Sequence, residues 1–315
     1  MGKCGYSAAP LGDPWLTWWW TPQEVPNDLG PPRGFGGAMR LANARTLLRR
    51  FGIEATWPTY AAYLERVQAV RPGVNVVPGV GHNTIRTMVM GLDDRPPTPD
   101  ELDRMRALVR EAMEAGAFAF STGLIYAPGR FASTDEVEAL CRVVAEYGGH
   151  YYTHLRSEAD GLLDAVDEAI GIAGRTGVRL EIAHLKALGA SNWGKLGEAL
   201  RRIETAWTSG IPAGVDAYPY TVAGITQSRL GGLLPPSFAG LAREAAFAEL
   251  DEASARRRAA EELTAVMSAS EDQTDRGWIR LAGGPGRVVL TRSDTPRHAE
   301  LLGKTFEEIA AFRGV

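Results

Sequence analysis

Gly149-His150-Tyr151-Tyr152-Thr153-His154-Leu155-Arg156-Ser157-Glu158 and, after a helical run, Arg179-Leu180-Glu181-Ile182-Ala183-His184-Leu185-Lys186 decide how this chain reads. Each half is a short apolar, aromatic or β-branched run ending in a histidine, His154 in one and His184 in the other. The two histidines are about 30 residues apart, the length of one strand–helix–strand unit. On consecutive strands of a parallel α/β barrel, both imidazoles stand at the same end, where such enzymes keep their chemistry. Two convergent imidazoles suggest a metal, and two unrelated buried histidines fit the spacing equally well.

The rhythm extends upstream. Pro58 opens a helix from Thr59 to about Val70, with Tyr60, Tyr63, Leu64 and Val67 on one stripe. Val74 to Gly81 reads as a buried strand running into a turn, with His82 as a loop histidine after it. Thr98-Pro99-Asp100-Glu101 supplies an N-cap, a first-turn proline and a capping-box glutamate. The stripe Leu102, Met105, Val109, Ala112 and Met113 follows, and Gly116 stops it. Ala117 to Ser121 reads as a strand ending in Thr122-Gly123-Leu124. Ser133 and Glu136 read as a second capping box, before a helix carrying Val137, Leu140, Cys141 and Val144. Its place on that stripe makes Cys141 core rather than ligand.

Downstream, Leu162, Val166, Ala169, Ile170 and Ala173 mark a helix ended by Gly177. Leu196, Leu200, Ile203 and Trp207 mark another, ended by Gly210, and Pro212 to Tyr218 reads as the next strand. Strand and helix alternate without a break, the pattern of a parallel sheet with covering helices. Beyond Tyr220 the rhythm weakens. A charged helix spans Ala245 to about Ala269, with Arg256, Arg257 and Arg258 as a solvated face. Arg287 to Thr291 reads as one more strand, and Phe306 opens a last helix. About six or seven strands can be counted where a closed barrel has eight.

The beginning is irregular. Cys4-Gly5-Tyr6-Ser7 reads as the close of a strand, and residues from about 11 to 37 form a Trp/Pro/Gly-rich insertion. Trp15, Trp18, Trp19 and Trp20 cluster there, as a loop folded back on the body, an exposed interface or an aromatic substrate wall. A helical pattern then runs from Ala38 to Gly52.

Composition excludes several classes. A net charge of -4, with no basic patch interleaved with aromatics, argues against a nucleic-acid partner. Two cysteines are too few for a disulfide framework and suit a reducing cytoplasm. No apolar run approaches the roughly 20 residues of a membrane span. There is no Walker loop, dinucleotide fingerprint, nucleophile-elbow serine or His-Glu-x-x-His.

Six segments, taken in order, carry a resemblance. They are Cys4 to Leu11, Val80-Gly81-His82-Asn83-Thr84-Ile85-Arg86, Phe120 to Tyr126, Thr153 to Glu158, Ala183 to Lys186, and Tyr218-Pro219-Tyr220-Thr221. Gly303-Lys304-Thr305 with Glu308-Ile309-Ala310 also fits. Over nearly its whole length the chain resembles the D-aminoacylase (N-acyl-D-amino-acid deacylase) branch of the amidohydrolase superfamily.

The resemblance implies a zinc-dependent (β/α)8 TIM-type barrel that hydrolyses the amide of a small-molecule N-acyl-D-amino acid. It implies Cys4, His154 and His184 as zinc ligands, leaving a coordination position for water or a substrate oxygen. By the same match Lys186 and Tyr218 contact the substrate carboxylate and amide oxygen. Arg156 either contacts substrate or pairs with a neighbouring carboxylate, Glu158 among them. A family serine beyond Tyr218 falls near Gly224 and is not matched. His150 and His298 are background.

The pattern also departs from the family. Its His-x-His pair lies upstream of the cysteine, and Lys3 stands where asparagine is usual. Ser293-Asp294 precedes Gly303-Lys304-Thr305 and lacks the context of the family's catalytic aspartate, so no catalytic residue is assigned. The chain is therefore expected to be one partial barrel domain over residues 1–315. It would lack the first and last strands and the small β-sandwich, with activity impaired. The alternatives are a non-catalytic zinc-binding remnant or interaction protein, and another amidohydrolase such as a dihydroorotase- or hydantoinase-like enzyme. No lysine at a strand end suits the bridging role that the last of these needs.

Overall fold

A computed structural model describes residues 4–10, 52, 57–91, 93–222, 237, 248–268, 278–291 and 296–314. The Trp/Pro/Gly-rich insertion, the helix expected over 38–51, the Gly224 position and Ser293-Asp294 lie outside the described residues. Two compact units divide the chain, Met1–Leu185 with Gly197–Tyr218, and Lys186–Leu196 with Pro219–Val315.

The first unit is built on a five-stranded, all-parallel sheet whose strands lie in sequence order. They are β1 (Gly79–Gly81), β2 (Ala119–Gly123), β3 (His150–His154), β4 (Arg179–Ile182) and β5 (Ala213–Val215). Between them run α1 (Tyr60–Ala69, ahead of β1), α2 (His82–Met90), α3 (Pro99–Glu114), α4 (Thr134–Glu146), α5 (Leu162–Thr176) and α6 (Lys195–Thr208). Neighbouring strands that follow one another in sequence, each with a helical crossover, are the repeating unit of a (β/α)8 barrel. The core is the layer between sheet and helices, where Val80, Phe120, Tyr151 and Ile182 meet Val109, Leu140 and Val166 with almost no exposure. Each such side chain contributes roughly 1.5–3 kcal/mol on burial.

Local sequence signals account for the helix ends. Thr98 and Glu101 make both halves of the capping box at the start of α3. Thr59 caps α1, and the Glu111 carboxylate on α3 accepts from Tyr60 N at 3.1 Å, tying the two helices together. Ser133 caps α4 through Glu136 N, but the Glu136 carboxylate does not turn back. It is taken instead by His82 at 2.8 Å and Arg86 at 2.6 Å.

Several expectations need correction. Only Gly79–Gly81 of the expected Val74–Gly81 strand pairs, and Val74 and Val77 are exposed. Pro78 lacks the N–H a ladder needs. His82 opens helix α2 rather than a loop; that helix buries His82, Asn83, Thr84, Ile85 and Arg86 together, so no polar face betrays it. Cys4 and Gly5 form a turn, not a strand end. On α6 the buried residues are Ala199, Ile203 and Ala206, whereas Leu200 and Trp207 face solvent. The strand expected over Pro212–Tyr218 is confined to Ala213–Val215.

The second unit holds α7 (Ala253–Ser268), α8 (Trp278–Ala282) and α9 (Phe306–Arg313). Ala255 and Ala259 pack with Leu250, and Arg256, Arg257 and Arg258 are exposed as expected. Arg287–Thr291 does not join the parallel sheet. Pro285–Arg287 tightens into a 3-10 turn, and Val289 forms an isolated antiparallel bridge to Thr305. Among the described residues, no helix is long and apolar enough to cross a membrane.

Candidate metal centre

The residues at one end of the sheet converge on Cys4. This residue lies in left-handed backbone at φ 52°, followed by Gly5 at φ 83°. The turn is held from several sides. Gly5 N donates to Ser121 Oγ at 3.1 Å, Asn83 N to Gly5 O at 2.8 Å, and Ser7 N to Thr84 Oγ1 at 2.9 Å. Ser7 Oγ in turn accepts from Gly81 N at 2.9 Å. The sheet makes room for this segment with glycine. A Cβ at Gly81 would lie 2.5 Å from Gly5 O, and one at Gly123 would overlap the Cys4 carbonyl.

His154 ends β3, buried at 4 % exposure and in register with Gly123 of β2. Its Nδ1 lies 3.4 Å from the Tyr126 hydroxyl, and the two rings sit 4.8 Å apart. His184 follows β4 with φ 38°, and its N–H donates to Asp216 Oδ1 at 2.7 Å. The two imidazoles meet edge to face, with centroids 4.4 Å apart. Cys4 Sγ lies 3.6 Å from His184 Nε2. One ligand atom from each of Cys4, His154 and His184 lies within 4.8 Å of the others.

Carboxylates surround this cluster. Glu158 is buried, with Oε1 3.2 Å from His184 Nδ1 and 3.5 Å from His154 Nε2. Asp216 accepts from Tyr152 Oη at 2.9 Å through its other oxygen. Burial, then that hydrogen bond and charge, push the Tyr152 phenol well up. Burial and the Asp216 charge likewise raise Glu181.

The other expected site residues are placed as follows. Tyr218 is partly exposed, and burial together with the Glu158 charge raises its phenol. Arg156 does not meet Glu158. It forms a fork to Glu168 at 3.0 and 2.9 Å and donates to the carbonyls of Arg130 and Ala132. Burial opposes its charge, but Glu168 more than offsets that and raises its pKa. The neighbouring-carboxylate alternative is thus the geometry seen, with Glu168 as the carboxylate. Lys186 begins the second compact unit, two residues after His184. His150 stacks on Phe118 away from the cluster, and His298 belongs to the second unit.

Sequence reasoning missed Tyr126, Asp216 and the placement of Glu158. The available signals were a carboxylate just past the end of β5 and another four residues past His154. A cysteine sulfur and two imidazoles are a donor set for a borderline-soft divalent ion, and the three ligand atoms lie within 4.8 Å of one another.

No protein-family model matches the chain. Among curated proteins it is 34% identical over 204 residues to N-acyl-D-glutamate deacylase of Alcaligenes xylosoxydans xylosoxydans, covering 64% of this chain and 42% of that one. D-aminoacylase of the same organism is 39% identical over 168 residues, covering 53% and 34%. Its N-acyl-D-aspartate deacylase is 36% identical over 223 residues, covering 70% and 39%. Among solved structures, Bordetella bronchiseptica N-acyl-D-glutamate deacylase, complexed with zinc and a phosphonate inhibitor, matches with TM-score 0.63 and 28% identity. That match covers 100% of this chain and 50% of that chain. A crystal structure of D-aminoacylase, described as defining a novel subset of amidohydrolases, gives TM-score 0.61 and 29% identity with the same coverage. The chain thus spans less than half the length of these curated relatives and half that of the solved ones. By sequence and by fold the chain is similar to part of the D-aminoacylases and N-acyl-D-amino-acid deacylases.

Proposed function

We propose that this chain carries a zinc site of an N-acyl-D-amino-acid deacylase, and that its chemistry is hydrolysis of the amide bond of such a substrate. The carrying observation is the convergence of Cys4, His154 and His184, from the segment ahead of β1 and from the ends of β3 and β4. These residues would hold the ion. Bound there, zinc supplies Lewis acidity toward an amide carbonyl and acidifies a water.

The chain's own residues do the rest. Tyr218, on the same unit, offers a phenolic O–H, its pKa raised by burial and by the Glu158 charge, to an oxygen gaining negative charge. Lys186, two residues beyond His184 in sequence, offers an ammonium to the substrate carboxylate. Arg156 ties the segment after β3 to α5 through Glu168, a holding role rather than substrate contact. The partner is a small molecule rather than nucleic acid or membrane, and the compartment is the cytoplasm. Support for these comes from the net charge of -4 and the two cysteines, which are far apart in sequence.

Two measurements test the reading. Metal analysis of the purified chain should give about one zinc, lost in Cys4→Ala; a metal-free chain, or unchanged zinc in the variant, sinks the site. Incubation with N-acetyl-D-glutamate and N-acetyl-D-methionine should release the D-amino acid at a rate that falls with zinc removal. A zinc-loaded chain that releases none keeps the metal site and loses the hydrolase.

A further inference from the structure

The ladder between β4 and β5 carries one extra residue where His184 stands. Ile182 pairs with Val215, and Asp216 N donates to Ile182 O at 3.1 Å. A regular parallel ladder would next send the His184 N–H to Asp216 O. Leu185 N takes that carbonyl instead, at 2.8 Å, and the His184 N–H goes to the Asp216 side chain, 2.7 Å from Oδ1. The arrangement is a bulge whose displaced N–H is answered by a carboxylate.

The bulge decides where the imidazole points. Side chains alternate along a strand, so a regular His184 would share the face of Ile182, which is fully buried and pairs with Thr153. His154, one residue past Thr153, belongs to the opposite face, yet its ring centroid lies 4.4 Å from that of His184. The extra residue and a φ of 38° carry the His184 side chain across. A residue with a Cβ keeps that backbone only where its surroundings impose it. Tyr152 steadies the group that does so, its hydroxyl donating to Asp216 Oδ2 at 2.9 Å.

We propose that Asp216 is the positioning residue of His184. Its carboxylate stands in for the ladder carbonyl and keeps the extra residue in place. The imidazole is thereby held on the face of His154, with Nε2 3.6 Å from Cys4 Sγ. The inference rests on the metal-site reading above and deepens it. Orienting groups usually bond the ring of a metal-binding histidine, whereas Asp216 holds the backbone that aims the ring. Asp216 is exposed, so its removal strands no buried charge.

The test uses the full chain and reads metal binding, not turnover. Zinc affinity is measured by competition with a chromophoric chelator, cobalt(II) loading by absorption, and stability by urea denaturation. Loss of an outer partner of a metal ligand typically weakens metal binding about 10–100-fold, and Asp216→Ala is expected within that range. Its cobalt spectrum should keep the Cys4 thiolate band while the ligand-field bands move toward those of His184→Ala. A purely structural role would lower stability without that movement. Asp216→Asn keeps an acceptor for the His184 N–H and turns its amide donor to Tyr152 Oη, so it should bind zinc nearly as well as the unaltered chain. Should Asp216→Ala fail to fold by circular dichroism, Tyr152→Phe decides. A smaller loss of affinity with the same spectral movement then supports the proposal, and no change overturns it. Folded Asp216→Ala with unchanged affinity and spectrum overturns it, as does Asp216→Asn as weak as Asp216→Ala; either result leaves the site intact. Failure of the unaltered chain to bind zinc, or full binding by Cys4→Ala, overturns the metal-site reading beneath it.

Discussion

Arg86 of α2 meets Glu136 of α4 at 2.6 Å, and neither side chain is more than 1 % exposed. Both charges are out of water, and each depends on the other. The Arg86 guanidinium also donates to the carbonyls of Asp93 and Arg95, while Glu136 accepts from His82. The cluster pins the α2 segment, whose first turn holds the Cys4 loop through Asn83 N and Thr84.

Glu136→Ala therefore leaves a buried arginine without its counter-charge, and should cost about 3–5 kcal/mol of unfolding free energy. Urea denaturation measures this. Glu136→Leu combined with Arg86→Met should recover most of the loss; equal losses in the single and double variants would contradict the pairing argument.

The same pair predicts a pH effect. Burial alone would raise the Glu136 pKa, but the hydrogen bonds and charges of His82 and Arg86 outweigh it and hold the carboxyl below the usual range. A lowered folded-state pKa stabilises fully above the unfolded value of about 4.3 and is lost as pH falls from there toward the folded value. Stability measured across that acid window should fall less steeply in Glu136→Gln than in the unaltered chain. An identical acid slope would show that Glu136 does not carry it.

Gly123→Ala should displace Cys4. The added methyl would overlap the Cys4 carbonyl and press on Tyr126, and the backbone on both sides is fixed by the sheet. Overpacking of this kind costs roughly 1–3 kcal/mol. Zinc affinity should fall alongside stability, whereas a methyl at the exposed Gly194, which has open space around it, should change neither.

Cys141 should be chemically silent. It is fully buried on α4, and burial with the Glu138 charge pushes its thiol well up, leaving little nucleophilic thiolate. In a Cys4→Ala background, alkylation followed by mass spectrometry should modify the remaining thiol only after unfolding. Rapid labelling of the native variant would contradict the burial.

Periodicity was enough to read the alternation of strand and helix from Thr98 to Val215, because each helix there buries one stripe and Gly116, Gly177 and Gly210 mark where helices stop. It failed at α2, where His82, Asn83 and Arg86 are polar yet buried, so the usual contrast between faces is missing. It failed again at Arg287–Thr291, whose β-branched run pairs locally with Gly303–Phe306 rather than with a distant strand. At the site, His154 and His184 were visible from spacing. Cys4 came only through family resemblance, since a turn held by the Ser121 and Thr84 side chains, both distant in sequence, leaves no local pattern. Glu158 looked like a partner for Arg156 two residues away; the chain bends between them, and the two side chains find different neighbours.

Two of the three residues that would grip the ion, Cys4 and His184, sit in backbone that side chains with a Cβ adopt reluctantly. Such conformations cost of order 1–3 kcal/mol each and persist only where the surroundings impose them. Replacing either residue with glycine would remove a ligand and relax the chain at the same place. Cys4→Gly should then melt at a higher temperature than Cys4→Ala when both are metal-free. Drift toward greater robustness and drift toward loss of metal would run along the same path, so only a demand for the bound ion would keep cysteine and histidine at these two positions.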